Sequence, residues 1–159
     1  MKGTTVLCII LCITFSLQSQ NRNPLKANIM FTLEKIAAIH ATVKSGADFP
    51  RYVQELKAIG MSHYDAFVSD GHTDYFAVDG EKLISSAKYS ELSIADSADK
   101  DRFEERLKLH QQGGTDYITF CRDCADTGVE KWRVDMNAMV CTYFDKAGNV
   151  VLEERIPTK

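Results

Sequence analysis

Two 33-residue stretches of this chain, offset by 68 positions, carry the same succession of structural signals. The first, "DFPRYVQELKAIGMSHYDAFVSDGHTDYFAVDG", begins at Asp48, and the second, "DYITFCRDCADTGVEKWRVDMNAMVCTYFDKAG", begins at Asp116. Laid on each other without a gap they match Asp48 with Asp116, Gly60 with Gly128, Tyr75 with Tyr143, Phe76 with Phe144 and Gly80 with Gly148. Phe49 meets Tyr117, Tyr52 meets Phe120, and Tyr64 meets Trp132. These positions are helix caps, helix-ending glycines, core aromatics and turn glycines, the residues that set where elements start and stop. The spacing predicts an internal duplication.

The segments around the two stretches extend the pattern. "TLEKIAAIHATVKSG" spaces Leu33, Ile36, Ile39 and Val43 as one helix face, with Thr32 as its N-cap and Gly46 as its stop. Asp48 caps a second helix that Gly60 ends. "MSHYDAFVS" and "TDYFAVDG" alternate like strands about Asp70-Gly71, a hairpin signal because glycine accepts the positive φ such turns need. "SADKDRFEERLKLHQQGG" and "DYITFCRDCADTG" read as helices, and "VEKWRVDM", "MVCTYF" and "NVVLEERI" as strands. The order is therefore ααββ–ααβββ. It implies an α+β fold of two layers, a mostly antiparallel sheet with helices on one face.

The N-terminus stands apart. In "MKGTTVLCIILCITFSLQSQ" Lys2 precedes an uncharged apolar run from Val6 to Leu17, shorter than the ~20 residues a membrane span needs but suited to a secretory leader. Residues 1–19 are expected to be a signal peptide, 20–28 a linker, and 29–157 a single domain of a periplasmic or secreted protein, with no membrane span once the leader is removed. Cleavage removes Lys2, Cys8 and Cys12, taking the net charge from −3 to −4 and leaving Cys121, Cys124 and Cys141. An odd number of cysteines argues against a disulfide framework. The acidic balance offers no field for nucleic acid.

Four features bear on chemistry. "CRDC" could be a redox pair or half a zinc site, but it lies within a helix, no second half exists, and the repeat puts Cys121 and Cys124 where Val53 and Leu56 stand. Both read as small core residues, and neither a metal nor a cofactor is expected. His40 and His110, on helices among charged neighbours, read as surface or rim histidines. "SDGH" is opposed by "NAMV" in the repeat, so Asp70 and His72 are peculiar to the first half: the turn needs Asp70-Gly71 but not His72, which is a ligand-contacting candidate. Finally, strand alternation puts Tyr64, Ala66, Val68, Trp132, Val134 and Met136 on the helix-covered side. His63, Asp65, Phe67, Lys131, Arg133 and Asp135 fall on the other, with opposite charges placed to pair across strands. On the last strand Val151, Glu153 and Arg155 are expected outward, and Val150, Leu152 and Ile156 inward.

The segments "FPRYVQELKAIG", "VSDGHTDYF", "GTDYITFCRDCADTGVEKWRVDM" and "CTYFDKAGN" resemble a small bacterial family of unknown function. It includes the prophage proteins YdfO and YbcV, often labelled phage envelope protein. The resemblance covers about Phe31 to Ile156, implies a compact α+β domain and supplies no catalytic residues; the leader departs from the prophage members. The expected function is binding of a small molecule or protein partner without catalysis, through His63, Asp65, Asp70, His72, Tyr75 and Arg133. Two rivals are a hydrolase, metal-assisted or not, built on His72, His63 and the nearby carboxylates, and a structural subunit that buries the sheet face in a homodimer.

Overall fold

A computed structural model describes residues 32–43 and 48–157. The expected leader, the linker and Gly46 lie outside the described residues. Thr32 has extended backbone and its hydroxyl accepts from the Lys35 amide at 3.2 Å, so it starts α1 (Leu33–His40) as a cap. The helix ends at Ala41, before Val43.

Asp48 does not cap α2 (Phe49–Ala58). Its backbone is already helical, at φ −84° and ψ −12°, and the carboxylate pairs with Arg51 at 3.5 Å instead. A capping side chain reaches the N2 or N3 amide from an extended residue. Asp116, extended at ψ 172°, does so for α4 (Tyr117–Asp126), accepting from Thr119 N–H at 2.8 Å. Gly60 and Gly128 end these helices at φ 92° and 79°. Gly128 has a second reason to lack a side chain: a Cβ there would stand 2.4 Å from the Ser97 carbonyl.

Six antiparallel strands follow the order β3-β2-β1-β4-β5-β6. They are β1 (Met61–Phe67), β2 (Thr73–Ala77), β3 (Lys82–Ile84), β4 (Lys131–Asp135), β5 (Val140–Phe144) and β6 (Val150–Arg155). Strand β3 is absent from the sequence pattern; three residues are too few for alternation to register, and it exists only by pairing along the edge of β2. The element order along the chain is thus ααβββααβββ, with α3 (Lys100–Gln111) following β3. The bounds of α2 and α4 differ by 68 positions at both ends. β1 and β4 lie side by side with Asp65 opposite Arg133, a pair of that same separation.

One face of the sheet is buried under the helices. Tyr64, Ala66, Val68, Trp132, Val134 and Met136 are all buried, as alternation requires. They meet Phe103 and Leu107 of α3, Phe120 of α4, and Val53 and Leu56 of α2 in one core. Each such side chain contributes roughly 1.5–3 kcal/mol by leaving water. Cys121 and Cys124 are wholly buried, as is Cys141, so "CRDC" faces the core.

Two further expectations fail in instructive ways. Val150 is 59 % exposed and Val151 is buried, the reverse of the alternation reading. A register shift between Tyr143 and Phe144 leaves Val151 as an extra residue in β6, and such an insertion flips the phase of everything on one side of it. Beyond it Leu152 lies opposite Tyr143, and Glu153 opposite Thr142, as alternation has them. His110 is not a surface histidine. It is 7 % exposed, stacks on Phe120 at 4.3 Å, and its Nδ1 hydrogen-bonds the Thr115 hydroxyl at 2.9 Å. His40, by contrast, is half-buried at the rim against Tyr52.

Candidate functional site

The outer face of the sheet gathers five of the six candidate residues. Register sets Asp65 of β1 between Asp74 of β2 and Arg133 of β4, and His63 between Phe76 and Asp135. Asp65 is the centre of the face. Its Oδ1 accepts from Arg133 Nε at 2.6 Å, and its Oδ2 from Arg133 Nη2 and Lys131 Nζ, both at 2.8 Å. Burial alone would raise the Asp65 carboxyl, but hydrogen bonds from Arg133 and Lys131 outweigh it and hold the carboxyl below its ordinary range. A carboxylate pinned by two cations is an anchor and a poor general base.

Aromatic rings surround this anchor. His63 stacks on Phe76 at 4.3 Å, and His72 on Phe67 at 4.4 Å, with interplanar angles of 9° and 7°. The Lys131 ammonium lies 5.4 Å from the Phe67 ring and 5.6 Å from Phe144, and Lys82 lies 5.2 Å from Phe76. These are cation–π distances, so the same lysine that pins Asp65 also ties three strands together.

The Asp70-Gly71 hairpin completes the face. Gly71 turns the chain at φ 77°, and Asp70 Oδ1 accepts both from the His72 amide at 2.9 Å and at His72 Nδ1 at 2.5 Å. These bonds pull Asp70 below the usual carboxylate range although burial opposes them. With Nδ1 held, Nε2 points to Asp74 Oδ1 at 4.0 Å, a buried oxygen without a hydrogen-bond partner among the described residues. The other Asp74 oxygen pairs with Lys82 at 2.7 Å. An imidazole oriented by a carboxylate is half of an acid–base device, but among the described residues no hydroxyl or thiol hydrogen-bonds to its Nε2. Nor do any three described His, Cys, Asp or Glu side chains come together as a metal-holding group.

Tyr75 does not join the other five. It pairs with Tyr64 on the inner face, 4 % exposed, where burial pushes its phenol up to about 12. Strand alternation places it there, since Tyr75 shares a side with Thr73 and Ala77, not with Asp74 and Phe76.

A second cluster sits on the helix side of the same hairpin, and nothing in the sequence pattern marks it. The loop after β3 folds back on the Asp70-Gly71 turn, with Lys88 N–H donating to the Asp70 carbonyl at 2.8 Å and Leu92 N–H to the Ser69 carbonyl at 2.6 Å. This carries Lys88 and Tyr89 toward Tyr117 and Cys121 of α4. Lys88 Nζ donates to the Thr73 hydroxyl at 3.2 Å, and the Tyr89 hydroxyl donates to the Val68 carbonyl at 2.9 Å. The Tyr117 hydroxyl is buried beside Cys121. The local clue is slight: Tyr117 and Cys121, four apart on a helix, share a face.

The elements that carry both clusters fall within one family match, "Protein of unknown function (DUF1398)", over residues 37–155. The chain belongs to this family. The DUF1398 region thus takes in everything from the middle of α1 to the end of β6, including all six candidate residues and the Lys88 cluster. Comparison with curated proteins found no significant match. No helix among the described residues is long and apolar enough to cross a membrane.

Proposed function

We propose that this DUF1398 chain is an exported, non-enzymatic binding module that receives a protein partner on its outer sheet face. The observation that carries the reading is the make-up of that face. Its half-buried middle is aromatic and Arg-bearing, with Phe67, Phe76, Phe144 and Arg133, and its margins expose Lys82, Ile84, Val150, Glu153 and Arg155. Aromatic and Arg side chains inside a charged rim are the composition of a recognition surface. Asp65, Asp74 and the rings are already paired with neighbours, which suits a face presented as a rigid whole. Proteins purified from the native host and weighed by native mass spectrometry test this. The wild type should retain a partner, and Ile84→Asp or Val150→Asp, at opposite ends of the face, should cut retention about tenfold without moving the melting temperature. Equal retention by both variants refutes the site, and a mass of two copies of this chain alone replaces the partner with a homodimer. Export predicts a mature N-terminus near Gln20; N-terminal sequencing that finds Met1 refutes it.

We also infer that the two halves descend from one duplicated ααβββ unit, and that the chain is kin to the prophage proteins YdfO and YbcV. In support, Val68 N–H donates to the Glu130 carbonyl at 2.9 Å and Met136 N–H to the Ser62 carbonyl at 3.0 Å, two bonds that exchange under a 68-residue shift. Met139, which stands where the first half has Gly71, also has positive φ, at 54°. An internal two-fold axis would then pass through the Asp65–Arg133 pair, and His72, opposed by Val140, would break the symmetry of the face. An experimental structure in which residues 48–80 fail to superpose on 116–148 refutes the duplication.

A further inference from the structure

We propose that Lys88 is a carbonyl-reactive amine, taking small aldehydes or ketones as an imine on the helix side of the Asp70-Gly71 turn. Lys88 is half-buried, and its Nζ is held by a neutral group, the Thr73 hydroxyl at 3.2 Å. Among the described residues no carboxylate lies within ion-pair distance of it, whereas lysines such as Lys82, Lys131 and Lys146 each meet an aspartate at 2.7–2.9 Å. A desolvated ammonium without a counter-ion surrenders its proton more readily than a solvated one.

The groups that face Lys88 come from every element around it. Asp70 on the turn favours the charged amine from a distance, and burial together with the Lys88 ammonium keeps His40 on α1 neutral, so it adds no charge. Cys121 on α4 and the neighbouring Tyr89 are kept protonated by burial, so neither supplies a standing negative charge. Burial dominates and pushes Lys88 down to about 8 from the ordinary 10.5. The turn sets the position. A Cβ on Gly71 would stand 3.2 Å from Lys88 Cβ and 2.5 Å from the Tyr89 ring, so the absent side chain is what lets the loop lie against the hairpin. The short stretch peculiar to the first half therefore has a role beyond turning the chain. It seats the amine.

The chemistry balances without an oxidant. The Nζ lone pair attacks the carbonyl carbon, the C=O π bond opens to a carbinolamine, and loss of one water leaves C=N. Trapping uses the whole protein, glyoxylate as the carbonyl probe and cyanoborohydride, which delivers hydride to the imine carbon while water protonates the nitrogen. Peptide mass spectrometry then ranks the lysines by rate at pH 7. Lys88 should react about tenfold faster than the exposed Lys57 and Lys108, since at about 8 it holds a much larger neutral fraction at pH 7 than an ordinary solvated lysine would, and its lower basicity takes part of the gain back. Its rate should rise with pH and level off above pH 8. A Lys88 rate equal to or below that of Lys57, or a Lys88 profile still climbing at pH 10, overturns the proposal.

Discussion

Replacing Gly71 with alanine separates two costs that the structure assigns to one residue. The first is conformational: at φ 77° an L-residue pays roughly 1–2 kcal/mol for the left-handed backbone. The second is steric. The new Cβ would lie 2.5 Å from Tyr89 Cε1 and 3.0 Å from Cζ, so the ring must shift, and its 2.9 Å hydrogen bond to the Val68 carbonyl strains or breaks. Losing that bond adds about 1 kcal/mol, and disturbing the packing of a half-buried ring adds a similar amount. Gly80 supplies the control. It has φ 91° and open space where a Cβ would project, with no atom of the described residues beyond its two chain neighbours within 4 Å, so Gly80→Ala carries the backbone cost alone. Urea denaturation at pH 7 should therefore show Gly71→Ala losing about 3–4 kcal/mol and Gly80→Ala about 1–2 kcal/mol. Equal losses would mean that the loop after β3 does not dock on the hairpin, and the seating of Lys88 would fall with it.

Asp65→Asn leaves Lys131 and Arg133 facing an uncharged amide; with Arg133 39 % exposed and able to reach water, the loss should be about 1–2 kcal/mol at pH 7 in the same assay. Because the folded Asp65 carboxyl lies below its unfolded value, its contribution is complete above about pH 4 and disappears as pH falls through the folded value, so the wild type should approach the variant under acid. His110 runs in the other ionic sense. Burial lowers its imidazole, so folding favours the neutral ring, and stability should decline as pH drops below about 6.5; His110→Leu should flatten that decline in urea midpoints taken from pH 7.5 to 5. Cys121, Cys124 and Cys141 should resist a thiol-reactive chromophore in the native protein and react together once urea unfolds it, whereas rapid native labelling would contradict their burial.

The local code of this sequence determined a good deal. Thr32 and Asp116 cap because a short side-chain oxygen can reach a nearby amide, and Gly60, Gly71 and Gly128 take positive φ because only glycine does so cheaply. Alternation in β1 and β4 was enough to place Asp65, Arg133 and Lys131 together on one face, since a strand's side chains alternate whatever lies beyond it. Short-range signals of this kind depend on neighbours a few residues away. What they could not decide was anything requiring a second segment. Asp48 carries the residue type of a cap and the wrong backbone. The β6 bulge that exchanges Val150 and Val151 is a property of pairing with β5, and β3 exists only because β2 offers it an edge. His110 looks solvated among its helix neighbours until Phe120 and Thr115 close over it. Lys88 is the furthest case. In the sequence it is one charged residue in a loop, and its environment comes from a turn well before it and a helix well after it, brought together only when the chain has folded.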